Sequence, residues 1–182
     1  MIYLDHAATA YPRPPGVSEA MLQALEVAGS VGRGGHAGAR SAGDLVSSCR
    51  ELLANLLGVT DSQRISLFPS STLALSTLIA DVTRNADPQA TLCMGVLEHN
   101  AVWRPAVRAL GEERIQFLPS DADGCVDPAR LGEVDASKVM GVVLQHASNV
   151  NGILQPVEEV GAWCQQNGIP FIVDGAQAAG LV

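Results

Sequence analysis

Lysine is almost missing from this chain: among 182 residues, only Lys138 carries a side-chain amine. Basic residues in general are few and singly scattered, and the net charge is −8. A nucleic-acid partner calls for a basic stripe, and an anionic membrane surface for a basic patch; the sequence has neither. No apolar run approaches the roughly 20 residues needed to span a bilayer. The opening MIYLDHAATA lacks the basic-then-apolar order of a secretory signal, so a cytoplasmic protein is the expectation. Cysteine is sparse as well. Cys49, Cys93, Cys125 and Cys164 stand far apart with no CxxC pair, which supports neither a zinc site nor a disulfide framework. Cys93 and Cys164 lie in apolar segments and read as buried fillers.

What is present is apolar matter in quantity. At 47% hydrophobic and 16% charged the chain is no disordered segment, and its length suffices for one sizeable core. From residue 65 onward strand and helix patterns alternate. ISLF (65–68), ATLCMGV (90–96), RIQFLP (114–119), VMGVVLQ (139–145) and IPFIVD (169–174) read as strands. STLALSTLIADVTR, NAVWRPAVRALG and PVEEVGAWCQQNG read as helices, and DPARLGEV as a short one. Pro105 is expected only near the first turn of its helix. Such alternation implies an α/β fold with a mainly parallel sheet. Residues 1–60 differ: a proline-rich turn, a helix near Val17–Ala28, a glycine-rich loop GSVGRGGHAG and a helix near Ala42–Leu57. They read as an N-terminal helical arm packed on a domain formed by 61–182.

In an open parallel sheet, ligands bind beyond the carboxyl ends of the strands. At those positions the sequence places PSST, LEHN, HASNVNG and DGAQ. Serine and threonine, histidine, asparagine, and an aspartate with a glutamine would suit one ligand bearing a phosphate, an aromatic ring, a polar substituent and a protonated ring nitrogen. For Asp174 and Gln177 a second reading stands beside this one, since Asp at N-cap with Gln three residues on resembles a capping box.

The motifs YLDHAATAYPRPP, GRGGHAGAR, EHNA, HASNVNG and VDGAQAAG, in this order, resemble the class V, fold-type I pyridoxal-phosphate enzymes, and most closely the cysteine desulfurase and selenocysteine lyase branch. The resemblance implies the large domain of that fold, truncated, with pyridoxal 5′-phosphate as cofactor. It implies that Asp174 pairs with the pyridine nitrogen and Gln177 with the ring 3-oxygen. His99 lies over the ring face and assists proton transfer, or is a solvent-facing residue at a helix start. Asn149 contacts the 3-oxygen side or the substrate carboxylate, unless SNVNG is only an Asx turn. Ser71 and Thr72 hold the phosphate at a helix N-terminus, or Ser71 is an ordinary cap. Glu98 reads as structural and His146 as a packed, hydrogen-bonded histidine. His6, Ala7, Ala8 and Thr9 fall near the substrate side, and GRGGHAG is a flexible loop at the entrance. One departure stands out: where the family has T-x-G-A-T-E, this chain has FPSSTL.

The family's Schiff-base lysine, substrate arginine and persulfide-forming cysteine have no counterparts here; they belong after the VDGAQ motif. Lys138 precedes a strand, at the end of the sheet opposite the ligand. The chain thus resembles the N-terminal half of an enzyme that removes sulfur or selenium from cysteine, giving alanine, with L-cysteine or a related amino acid as substrate and a sulfur-acceptor protein as partner. By itself it is expected to be inactive, to bind the cofactor weakly or not at all, and to associate as a homodimer or through a truncated sheet edge. The alternatives are a class V aminotransferase or other lyase, and a noncatalytic α/β binding or assembly module. A Rossmann dinucleotide binder is disfavoured, because no G-x-G-x-x-G follows the first strand.

Overall fold

The computed structural model describes residues 2–6 and 8–181. Ala7, one of the residues expected near the substrate side, lies outside the described residues. The chain divides into two compact units, one running to Leu67 and one starting at Phe68.

In the first unit, α1 (Val17–Val27) starts after Gly16, whose φ of 84° suits glycine. Helix α2 (Ala37–Leu56) starts earlier than its apolar periodicity suggests, because His36 caps it: Nδ1 accepts the Ala39 N–H at 3.3 Å. The glycine-rich loop between the helices is closed by the Gly29 N–H donating to the Gly38 carbonyl at 2.8 Å. Ala39, Ala42 and Ala54 are the buried positions of α2. His6 meets the Tyr3 ring edge-on, with centroids 5.0 Å apart.

The second unit is built on four parallel strands: β1 (Thr91–Met94), β2 (Ile115–Phe117), β3 (Val139–Gln145) and β4 (Phe171–Asp174), in the order β2-β1-β3-β4. Side chains alternate between faces, as the twofold period of a strand requires. Leu92, Met94, Val143 and Ile172 pack on one side with α3 (Ser71–Arg84) and α4 (Asn100–Leu110). Cys93, Val142 and Leu144 pack on the other side with α5 (Val157–Asn167). Because both faces are covered, β3 reads as an almost unbroken apolar run. Among the described residues no helix is long and apolar enough to cross a membrane.

Two expectations fail here. Residues 65–68 form no strand: the backbone at Ile65 is extended but unpaired, and Leu67 and Phe68 are about half exposed. Four residues without a neighbouring strand have no ladder to join, however apolar three of them are. Pro105 is the sixth residue of α4, beyond its first turn. An interior proline costs about 3 kcal/mol; burial of Ala101, Val102, Ala106 and Leu110 on one face offsets it. The short helix expected in DPARLGEV is present over 128–133, wound as 3₁₀, with Asp127 Oδ1 accepting the Ala129 N–H at 3.1 Å.

Candidate functional site

The strand order changes direction at β1 and β3: the chain leaves β1 toward β2 and leaves β3 toward β4. At such a switch point the loops diverge and leave a crevice beyond the carboxyl ends of the strands. A cavity of about 320 Å³ occupies this place. All six residues expected to hold a cofactor line it: Ser71, Thr72, His99, Asn149, Asp174 and Gln177. The first of the four expected strand mouths is missing its strand, yet PSST reaches the cavity as the start of α3.

Each side chain arrives by a local device. Ser70, not Ser71, is the N-cap of α3, its Oγ accepting the Leu73 N–H at 3.3 Å. The N–H groups of Ser71 and Thr72 therefore stand free at the positive end of the helix, with no acceptor among the described residues. His99 caps α4 and lines the cavity at once. Its Nδ1 accepts the Ala101 N–H at 3.1 Å, which places the proton of the neutral ring on Nε2. In SNVNG the turn chemistry falls on other residues. Ser148 Oγ accepts from Val150 at 3.2 Å, and Asn151 Oδ1 accepts from Ile153 at 3.2 Å. That leaves the Asn149 amide available to the cavity.

Asp174 ends β4 and is only 8% exposed. Its Oδ1 accepts the Ala176 N–H at 3.0 Å, and no cationic side chain pairs with it among the described residues. The capping-box reading fails: the acceptor bond goes to Ala176 rather than to Gln177, and residues 176–181 form turns rather than a helix. Gln177 is thus freed from cap duty and borders the cavity. His146 does not line it; its backbone N–H donates to the Asp174 carbonyl at 2.9 Å.

Two residues at this site had not been singled out for it. Gln145, 3% exposed, lines the cavity and donates from its side-chain amide to the Leu97 carbonyl. A polar residue closing an apolar strand was the available signal, the same one that marked Asp174. Glu98 accepts the Gln145 backbone N–H at 2.8 Å through Oε1, while its Oε2 is buried without a partner. Burial pushes the Glu98 carboxyl up to about 8; the Gln145 N–H opposes this, and the charge of Asp174 adds to it. The thiols of Cys93 and Cys164, pushed up to about 11 by burial, are inert fillers as expected.

Comparison with known proteins agrees with this geometry. The chain is 29% identical to the cysteine desulfurase IscS of Photobacterium profundum over 98% of its own length and 45% of that protein's. It is 30% identical to a probable mitochondrial cysteine desulfurase of Dictyostelium discoideum, covering all of this chain and 40% of that one. Among solved structures, the apo cysteine desulfurase of Thermococcus onnurineus superposes with a TM-score of 0.82 at 25% identity, over 94% of this chain and 43% of that one. The cysteine desulfurase CsdA of Escherichia coli superposes with a TM-score of 0.81 at 27% identity, over 97% and 45%. The chain spans less than half the length of these relatives. The model of the family described as aminotransferase class-V matches residues 2–181, and the chain belongs to that family.

Proposed function

We propose that this chain supplies the cofactor-holding part of a pyridoxal-phosphate-dependent enzyme that takes sulfur or selenium from cysteine or selenocysteine and leaves alanine. The family's enzymes depend on pyridoxal 5′-phosphate, and cysteine desulfurases recur among the relatives. One observation carries the reading: a buried carboxylate, Asp174, lines a cavity with no cation beside it among the described residues. A buried anion without a partner is unfavourable until a cation reaches it, and a protonated pyridine nitrogen is such a cation.

The other lining groups suit the rest of that molecule. The free amides of Ser71 and Thr72 at the start of α3 suit a phosphate, even though FPSSTL departs from the family's loop. Asn149 and Gln177 offer amides for the ring 3-oxygen and a substrate carboxylate. When bound, the cofactor supplies an electron sink for a carbanion at the substrate Cα. In this division of labour Asp174 keeps a ring nitrogen protonated, α3 holds the phosphate, and His99 presents a proton on Nε2. The net reaction of the whole enzyme breaks the Cβ–S bond of cysteine, forms an S–S bond on a thiol acceptor and leaves a proton on Cβ. A sulfur-acceptor protein, a homodimer and a cytoplasmic setting belong to the same proposal. So does the division into an arm, 1–60, and part of the cofactor domain, 61–182.

The chain alone turns nothing over in this reading. Its one lysine, Lys138, stands before β3 and pairs with Asp135 at 3.2 Å, at the end of the sheet away from the cavity. A ³¹P-NMR titration with pyridoxal 5′-phosphate tests the site itself. Weak, saturable binding in the millimolar range is expected, and Asp174→Ala should weaken it at least tenfold. Binding that Asp174→Ala leaves unchanged would overturn the reading.

A further inference from the structure

Gln145 is bonded twice to the loop at Leu97 and Glu98. The Gln145 backbone N–H donates to Glu98 Oε1 at 2.8 Å, and the Gln145 side-chain amide donates to the Leu97 carbonyl. Both bonds are donated from the end of β3 to the loop leading from β1 to α4, and the residue after Glu98 is His99. The close approach depends on Gly95: a Cβ there would stand 2.9 Å from Glu98 Oε1 and 2.8 Å from Leu144 Cδ1. On its far side Gln145 is paired in register with Asp174 of β4, so the two acids flank one residue.

We propose that Glu98 is the positioning residue for His99: with Gln145 it latches the β1–α4 loop onto β3 and so sets where the imidazole stands in the cavity. The inference deepens the cofactor reading by naming what orients the histidine, and it rests on that reading only for the ligand's identity. Glu98 serves the latch in its uncharged form. Its Oε2 is shut away without a partner, and ionisation would leave a bare charge there, near that of Asp174. The charged and titratable groups around it are Asp174 on β4, His99 next in the chain and His146 after Gln145. His99 Nδ1 is already committed to the Ala101 N–H.

The direction of the pH effect follows from a carboxyl whose folded pKa is raised. Between about 4.5 and about 8 the folded chain holds a proton that the unfolded chain has released. This contribution to stability is complete below 4.5, declines through the window and is gone above 8. At its steepest the decline is about tenfold in the folding equilibrium constant per pH unit, the slope of one proton.

The ligand-free chain tests the latch, so the outcome stands apart from whether pyridoxal phosphate binds. With ¹³C-carboxyl-labelled glutamate, one resonance should titrate near pH 8 and vanish in Glu98→Gln. Amide exchange at Ala101, the donor to His99, should accelerate about tenfold in Glu98→Ala and remain as in the parent in Glu98→Gln, whose carbonyl still accepts the Gln145 N–H. A Glu98 midpoint in the ordinary carboxylate range overturns the uncharged latch. Unchanged Ala101 exchange in Glu98→Ala overturns the positioning role.

Discussion

Gln145 and Asp174 form the last paired position of β3 and β4, and both border the same cavity. In a parallel pair in register, opposed side chains share a face, so the sheet itself sets an amide beside a carboxylate. The pair concentrates polar groups at the one edge where two strand-end loops separate, while the strands behind them remain apolar.

Asp174 should therefore show opposite effects on stability and on binding. Asp174→Asn retains an oxygen for the Ala176 N–H and removes a buried charge that has no partner among the described residues. Replacing a buried functional group of this kind commonly raises stability by about 0.5–2 kcal/mol. Urea unfolding should show that gain, while the affinity for pyridoxal phosphate falls at least tenfold. Asp174→Ala also loses the turn bond and should be less stable than the Asn variant by about 1 kcal/mol. Were the Asn variant less stable than the parent, the carboxylate would have a partner in solution.

Gly95 and Gly161 should respond to alanine with opposite signs. At Gly95 the new Cβ meets Leu144 Cδ1 at 2.8 Å and Glu98 Oε1 at 2.9 Å, so either the core or the latch must move. Overpacking of this kind costs about 1–3 kcal/mol. Gly161 lies within α5, and its Cβ would meet only the Phe171 ring at 3.4 Å, an ordinary contact. Alanine there should gain about 0.5–1 kcal/mol from helix propensity. Thermal melts of the two variants side by side give the comparison; a gain at Gly95 would place the Glu98 side chain elsewhere.

The parts of this arrangement that were legible in the sequence are those written in local pattern. The run VMGVVLQ announced a strand covered on both faces, and β3 occupies it. Asn167-Gly168 announced the end of α5, and Gly168 adopts φ 67° there. The polar residues after β1, β3 and β4 announced a shared site because strand ends in a parallel sheet face one way. What was hidden depends on distance along the chain. Glu98 reaches an amide 47 residues away, and no local spacing signals that bond. ISLF has the composition of a strand but nothing beside it to pair with, and composition cannot supply a neighbour. Pro105 sits deep in α4 because tertiary burial outweighs a local rule. The two turns inside SNVNG could not be apportioned among its residues until Ser148 and Asn151 were seen to share them.

Lys138 should be irrelevant to cofactor binding. It is exposed, paired with Asp135 and placed before β3, whereas the cavity lies beyond the other end of that strand. Lys138→Arg should leave the ³¹P titration with pyridoxal phosphate unchanged, and the parent chain should form no alanine from L-cysteine over hours. Borohydride treatment followed by peptide mapping should find no adduct on Lys138 that depends on Asp174. An Asp174-dependent adduct at Lys138 would mean that the lysine reaches the cavity by some rearrangement.

The outer edges of the sheet should drive association. Strands β2 and β4 each pair on one side only among the described residues, and both expose apolar side chains there or nearby, Phe117 at 48% and Val173 at 42%. An unpaired strand edge offers free N–H and C=O groups to another chain, and charged residues are the usual protection. The four residues of β4 run Phe-Ile-Val-Asp, with no lysine or proline to blunt the edge. Light scattering across a concentration series should show self-association, and Val173→Lys, which places a charge on that strand, should shift the equilibrium toward monomer at least tenfold. A parent chain that remains monomeric at high micromolar concentration would show that the β4 edge is covered in solution.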